Sequence, residues 1–188
     1  MREARRETLE KYITCRDDHS KKLMIGAGMM RRQGWKTLDA MPQCTPDILA
    51  AVPPLPKECT NNDWTEIEMI HFLEHLDKWR AEELLKEIRR KALKPSRGKL
   101  VIEVPNLAVC MPIALDETQA DGRQNRFGFH PILGTHEDGN AFQRHMWGYT
   151  PDSLRRVLMK AGFRDDHIKL ERAKHHYPDR DMRMVATT

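Results

Sequence analysis

At 188 residues, 39% hydrophobic and 32% charged, the chain is long enough for one packed domain and too apolar to be disordered. Its 32 basic and 28 acidic residues leave a net charge of +4, and such interspersed signs make a solvated surface, not the clustered footprint of nucleic-acid binding. No run approaches 18 apolar residues, Met1–Ser20 lacks the apolar stretch of a secretory signal, and Cys15, Cys44, Cys59 and Cys110 form no C-x-x-C pair. The expectation is a cytoplasmic protein with free thiols and no membrane span.

In chain order, residues 4–14 place Ala4, Leu9, Tyr12 and Ile13 loosely on one helical face, which predicts a helical extension over residues 1–20. Lys22–Ile25 reads as a buried strand running into the tight turn Gly26-Ala27-Gly28, and Trp35–Leu38 as a second strand ending at Asp39. About nine residues separate them, fewer than the roughly 10–12 of a crossover with its helix, so a compact loop or single turn is expected. Residues 51–63, rich in Pro and Asn, form a loop, and Glu66–Ile70 a third strand. Lys78–Leu93 is the clearest helix, with Ala81, Leu84, Leu85, Ile88 and Ala92 on one stripe, stopped by Pro95 and Gly98.

Leu100–Val104 reads as a central strand closed by Pro105-Asn106. Residues 107–148 have no clear period and are expected to form an irregular insertion or lid within a single domain over residues 1–188. Thr150-Pro151-Asp152-Ser153 carries cap, proline and acid in the order of a helix start, Leu154, Val157, Leu158 and Ala161 make its stripe, and Gly162 ends it. Strands at about His167–Ala173 and Met182–Ala186 flank Tyr177-Pro178-Asp179. This alternation predicts an α/β domain, a mostly parallel sheet flanked by helices with a hairpin at one edge.

Ligands of such sheets bind beyond the carboxyl ends of the strands. That rule selects Gly26–Gly28, Asp39–Met41, His71 and Asn106. Gly26 and Gly28 let a ligand approach the backbone, but Arg31 stands where a dinucleotide fingerprint needs a third glycine. Asp39 is placed to accept hydrogen bonds from a ribose diol, or to cap a turn. The string His71-Phe72-Leu73-Glu74-His75 matches H-x-x-E-H, which on a helix would chelate zinc through both histidines with Glu74 as base, the alternative of a zinc hydrolase. The strand Glu66–Ile70 instead puts His71 at a strand end and leaves Glu74 and His75 to orient the next helix, so no metal ligands are assigned. His130, His136 and His145, beside Phe127, Phe129, Phe142, Trp147 and Tyr149, read as a lid or as a cluster that pins the loop.

Taken together, Lys22–Gly28, Gly34-Trp35 to Leu38-Asp39, Pro54-Leu55-Pro56, Glu66–Leu76, Leu93-Lys94-Pro95, Gly98–Asn106 and Tyr149–Phe163 resemble the short class I S-adenosylmethionine-dependent methyltransferases. The resemblance covers about residues 21–106 and 145–188 and implies a Rossmann-like sheet of seven strands, one of them, Met182–Ala186, antiparallel near the edge. It implies that Gly26, Ala27 and Gly28 pass under the methionine part of S-adenosylmethionine, that Asp39 holds the ribose, that Ala40 lies against adenine and that His71 lines the pocket near the sulfonium. In this family the H-x-x-E-H string arises without zinc. The implied activity is methyl transfer to an unidentified acceptor, with His71 or His145 as general base if one is needed, since imidazole titrates near neutrality. Ala51 stands where the family often has an acid and Thr65 where an aspartate is frequent, which motivates a non-catalytic binding or assembly module as the alternative; oligomerisation stays open.

Overall fold

Seven strands build one sheet in the computed structural model, which describes residues 21–116, 122, 124–135 and 143–188. They are β1 (Lys21–Ile25), β2 (Trp35–Asp39), β3 (Ile48–Leu49), β4 (Trp64–Ile70), β5 (Lys99–Pro105), β6 (Ile168–Arg172) and β7 (Asp181–Thr187). Their order is β3-β2-β1-β4-β5-β7-β6, and every neighbouring pair is parallel except the two made by β7. The Rossmann-like sheet with one antiparallel strand next to the edge is the expected one. The extension expected over residues 1–20, His136 and Phe142 lie outside the described residues.

Alternation decides which face is the core. Leu23, Ile25, Leu38, Ile67, Met69, Leu100, Ile102, Val104, Met182 and Met184 are buried in one apolar cluster with the inner stripes of two helices. One is α1 (Lys78–Glu87), started by the Asp77 carboxylate accepting from the N–H groups of Trp79 and Arg80, and prolonged by a π turn over Ile88–Ala92. The other, α3 (Pro151–Ala161), has the cap read from its sequence: Thr150 and Ser153 bond reciprocally, and Gly162 closes it with φ of 101°.

Two elements depart from the expectations. The helix α2 (Leu107–Leu115) lies in the segment expected to be irregular. Its residues are nearly all apolar, so no polar face marks a helical period, and its start is set by Asn106, which accepts from Ala108 N–H. The remainder of that segment includes a π turn, Gln124–Phe129, and one helical turn, His130–Leu133. The strand β3 escapes notice in the sequence because two residues carry no alternation; Asp47 holds it to β2 by accepting from both the N–H and the hydroxyl of Thr37.

The β1–β2 connection contains no helix, as its length requires. Arg31 takes over the task of holding it down, donating to the carbonyls of Gly28, Met30, Cys44 and Thr45 and so lacing it to the loop after β2. The sheet face opposite the core carries charges that pair across strands. Glu66 takes Lys22 and Lys99, Glu68 takes Arg32, and the buried Arg183 reaches Glu103 at 2.6 Å and Glu68 at 3.8 Å. Glu103, with no exposed side-chain surface, also accepts from the N–H groups of Lys174 and His175, tying the β6–β7 turn to the central strand. Among the described residues no helix is long and apolar enough to cross a membrane.

Removing one partner of a buried pair leaves the other charge uncompensated, at a cost of about 3–5 kcal/mol. Glu103→Ala is therefore expected to lower stability by about that amount in urea unfolding. The double variant Glu103→Ala/Arg183→Met should recover part of the loss, whereas additive losses would show that the two side chains act independently.

Candidate functional site

The carboxyl ends of β1 and β2 are joined through one carboxylate. Gly26, at φ of 67°, donates its N–H to Leu38 O, and a Cβ there would fall 2.0 Å from Phe72 Cδ2, so glycine is required for the Phe72 ring to lie on the turn. Gly28, at φ of 52°, has open space where a Cβ would project. Its N–H donates to Asp39 Oδ2 at 2.7 Å, while Asp39 Oδ1 accepts from Met41 N–H at 2.9 Å. Each oxygen of this buried carboxylate keeps a second lone pair, the acceptor set that a ribose diol needs. The donor–acceptor chemistry of Asp39 and the room at Gly28 thus fit the ribose end of S-adenosylmethionine; beside Gly26 the space belongs to Phe72. Ala40 is half-buried next to Asp39, Ala51 is exposed, and Thr65 donates its hydroxyl to Lys21 O.

At the end of β4 the chain turns sharply. His71 has φ of 49° and donates its N–H to Glu103 O, which puts its ring between two buried carboxylates. Nδ1 lies 3.1 Å from Glu74 Oε1 and Nε2 lies 3.1 Å from Asp181 Oδ2. Burial alone would lower the His71 pKa, but the hydrogen bonds to Asp181 and then Glu74 outweigh it and raise the value to about 9. Burial likewise favours neutral Glu74 and Asp181, and the hydrogen bond from His71 overcomes it, holding both below the ordinary carboxylate range. Arg180 adds two hydrogen bonds to Asp181, at 2.6 and 2.9 Å.

Held by a carboxylate at each ring nitrogen and with its pKa raised, His71 favours the imidazolium form, in which both nitrogens donate and neither has a lone pair to take a proton. To serve as the general base expected from the sequence, His71 would first have to give up one of these two hydrogen bonds. The zinc-peptidase reading of H-x-x-E-H is overturned by the same geometry: Leu73–His75 is a single tight turn rather than a long helix, and His71 faces Asp181 from β7 instead of sharing a face with His75. Neither Asp181 nor Arg180 stood out in the sequence, because 110 residues separate Asp181 from His71 and only the pairing of β5 with β7 brings them together. His176 lies edge-on to His71 with ring centroids 4.6 Å apart, its pKa lowered by burial and then by the His71 charge.

His145, the other candidate base, belongs to a different group. Met146 and Trp147 donate their N–H groups to Glu74 O, clamping this strap over the turn after β4. His145 Nδ1 bonds Pro131 O at 2.8 Å, and its ring meets that of His75 edge-on at 4.8 Å. Burial lowers its pKa, so it is neutral at pH 7. His130 is exposed; of the expected lid aromatics, Tyr149 is fully buried, while Phe129 and Trp147 reach solvent. A cavity of about 680 Å³ opens beside α2, lined by Val109, Ile113, Arg126, Phe127, Tyr177 and Arg180. Arg126 donates to the Tyr177 hydroxyl, and Arg180 connects the cavity to Asp181 and so to His71.

No protein-family model and no curated protein matches the sequence. Solved structures resemble the fold. A SAM-dependent methyltransferase from Archaeoglobus fulgidus is 19% identical with a TM-score of 0.59, over 99% of this chain and 94% of that one. A protein from Pyrococcus horikoshii is 13% identical with a TM-score of 0.53, over 98% and 89%. An O-methyltransferase family protein from Burkholderia thailandensis is 9% identical with a TM-score of 0.56, over 89% of this chain and half of that one (50%). The chain has the fold of class I S-adenosylmethionine-dependent methyltransferases.

A histidine with its folded pKa raised above the unfolded value stabilises the fold fully below the unfolded pKa, and that contribution is lost as pH rises through the folded one. For His71 the window runs from its ordinary 6.5 to about 9. Stability should fall across that interval, and His71→Gln should flatten the dependence. Nuclear magnetic resonance titration of the His71 ring checks the assignment directly; a midpoint near 6.5 would refute the paired imidazolium.

Proposed function

We propose that the chain binds S-adenosylmethionine beyond the carboxyl ends of β1, β2 and β4 and transfers its methyl group to an acceptor. The observation that carries this reading is the Asp39 carboxylate, held by Gly28 and Met41 N–H groups where the strand order reverses between β1 and β4, the place where sheets of this kind bind nucleotides. The structural likeness to methyltransferases supports the same conclusion.

The bound cofactor supplies an electrophilic methyl on a sulfonium. Displacement from such a centre is in line, and placing the two reactants supplies much of the rate. Asp39 holds the ribose, the Gly28 turn leaves room beside it, and Ala40 packs toward adenine. His71, Glu74, Asp181 and Arg180 carry two positive and two negative charges, so the cluster at the end of β4 does not repel a sulfonium as a lone imidazolium would. The cavity beside α2 is the natural acceptor site, its Arg126 and Arg180 favouring an acceptor with anionic or aromatic character. With His71 protonated, the group best suits an acceptor that needs positioning more than proton removal. The free, buried thiols of Cys44, Cys59 and Cys110 support a reducing, cytoplasmic setting, and the paired surface charges speak against a nucleic-acid partner.

One observation favours a binding module without turnover: the Phe72 ring occupies the space at Gly26. Cofactor binding with no transfer to any acceptor in a broad panel would select that second reading.

Titration calorimetry with S-adenosylmethionine and S-adenosylhomocysteine tests the proposal; no binding of either at millimolar ligand would sink it. Asp39→Ala should weaken binding by about 1.5–3 kcal/mol, the scale of hydrogen bonds to a charged group. Unchanged affinity would remove Asp39 from the site.

A further inference from the structure

Outside the Asp39 crevice, the turn after β4 and the strap over it bring three metal-ligating side chains together. Glu74, His75 and His145 each offer one ligand atom, and these atoms all lie within 4.8 Å of one another. The sequence string suggested a different set: His71 is drawn away to Asp181, and its place beside Glu74 and His75 is filled by His145, some seventy positions on.

Three features separate this group from a chance encounter. First, both imidazoles spend Nδ1 on a backbone carbonyl, His75 on Arg144 O at 3.0 Å and His145 on Pro131 O at 2.8 Å. That fixes the tautomer and leaves the lone pair on Nε2, the outer-shell arrangement typical of metal-bound histidine. Second, Glu74 is 2% exposed, its Oε1 is taken by His71, and its Oε2 is buried with no hydrogen-bond partner. A buried carboxylate oxygen without a partner is costly unless something cationic faces it. Third, the N–H groups of Met146 and Trp147 both bond Glu74 O, so the backbone that carries His145 is anchored to the backbone of Glu74.

We infer that Glu74, His75 and His145 form a binding site for a borderline divalent cation of the Zn²⁺ class, with the remaining coordination position open. Two imidazoles, each with Nδ1 turned to a carbonyl, and one carboxylate are a donor set that suits such ions. An ion among the three ligand atoms sits within about 2.8 Å of each at the widest, and small side-chain rotations close this to the ~2.0–2.2 Å of zinc bonds. His71 is the positioning residue: its hydrogen bond to Oε1 orients the carboxylate so that Oε2 points elsewhere. The site stands on these residues alone and does not depend on methyl transfer or on S-adenosylmethionine.

The test is titration of the chelator-stripped, whole chain with Co²⁺ and Zn²⁺. One equivalent should bind, with the visible bands of a low-coordinate cobalt site. His75→Ala and His145→Ala should each weaken binding by more than the roughly 10–100-fold that loss of an outer-shell partner costs, while His130→Ala binds as the unsubstituted chain does. In the unsubstituted chain, Zn²⁺ should shift the ring resonances of His75 and His145 and leave that of His130 in place, a readout independent of how the variants fold. Absence of stoichiometric binding, unmoved His75 and His145 resonances, or full affinity in a folded His145→Ala would each overturn the assignment.

Discussion

Two buried carboxylates, Glu74 and Asp181, face each other across one imidazole, and much of this molecule is arranged around keeping them ionised. Either carboxylate alone would protonate or draw in water, since an unpaired charge in a low dielectric is unstable. His71 meets both, and it can do so only because the backbone at the end of β4 enters the left-handed region and swings the ring across to the start of β7. Arg180 completes the charge balance from the next residue in the chain. The antiparallel strand is thereby fastened to the parallel part of the sheet at its site end, while Arg183 and Glu103 fasten it further along.

That constraint also sorts the histidines into roles. A ring between two acids favours its charged form and acts as a structural tie, suited to orienting a neighbour. A ring such as His145, buried and given a carbonyl for its Nδ1, stays neutral with a lone pair to offer. The same turn after β4 therefore holds His71 against Glu74 Oε1 on one side and the His75 and His145 rings on the other.

The β1–β2 side of the crevice is built economically. Where a crossover helix would pack, nine residues are held by the Arg31 guanidinium and by Asp39, whose two oxygens gather the N–H groups of Gly28 and Met41. Asp39 is thus a brace between the two loops, with lone pairs still turned outward, and Phe72 fills the other side of the turn at Gly26. A ligand there meets a preformed acceptor but a narrow approach at Gly26.

Sequence alone determined the sheet's strands and two of its helices wherever local rules suffice. Alternation or short apolar runs mark β1, β2, β4 and β5, the stripe at Ala81, Leu84, Leu85 and Ile88 marks α1, and Thr150 to Gly162 carries its own start and stop signals. Asp39 and the glycines were legible too, because a strand end is a local feature. The helix α2 was hidden, since an apolar segment without a polar face has no readable period, and β3 is too short to have one. What His71, Glu74, His75 and His145 do was decided by tertiary structure. One string of five residues offered both histidines to a metal, and only the pairing of β5 with β7, which delivers Asp181, and the strap, which delivers His145, determine which ring becomes a buried cation and which keeps its lone pair. Glu74 lies three positions from His71, but Asp181 comes from 110 residues away, and no local pattern encodes that second carboxylate.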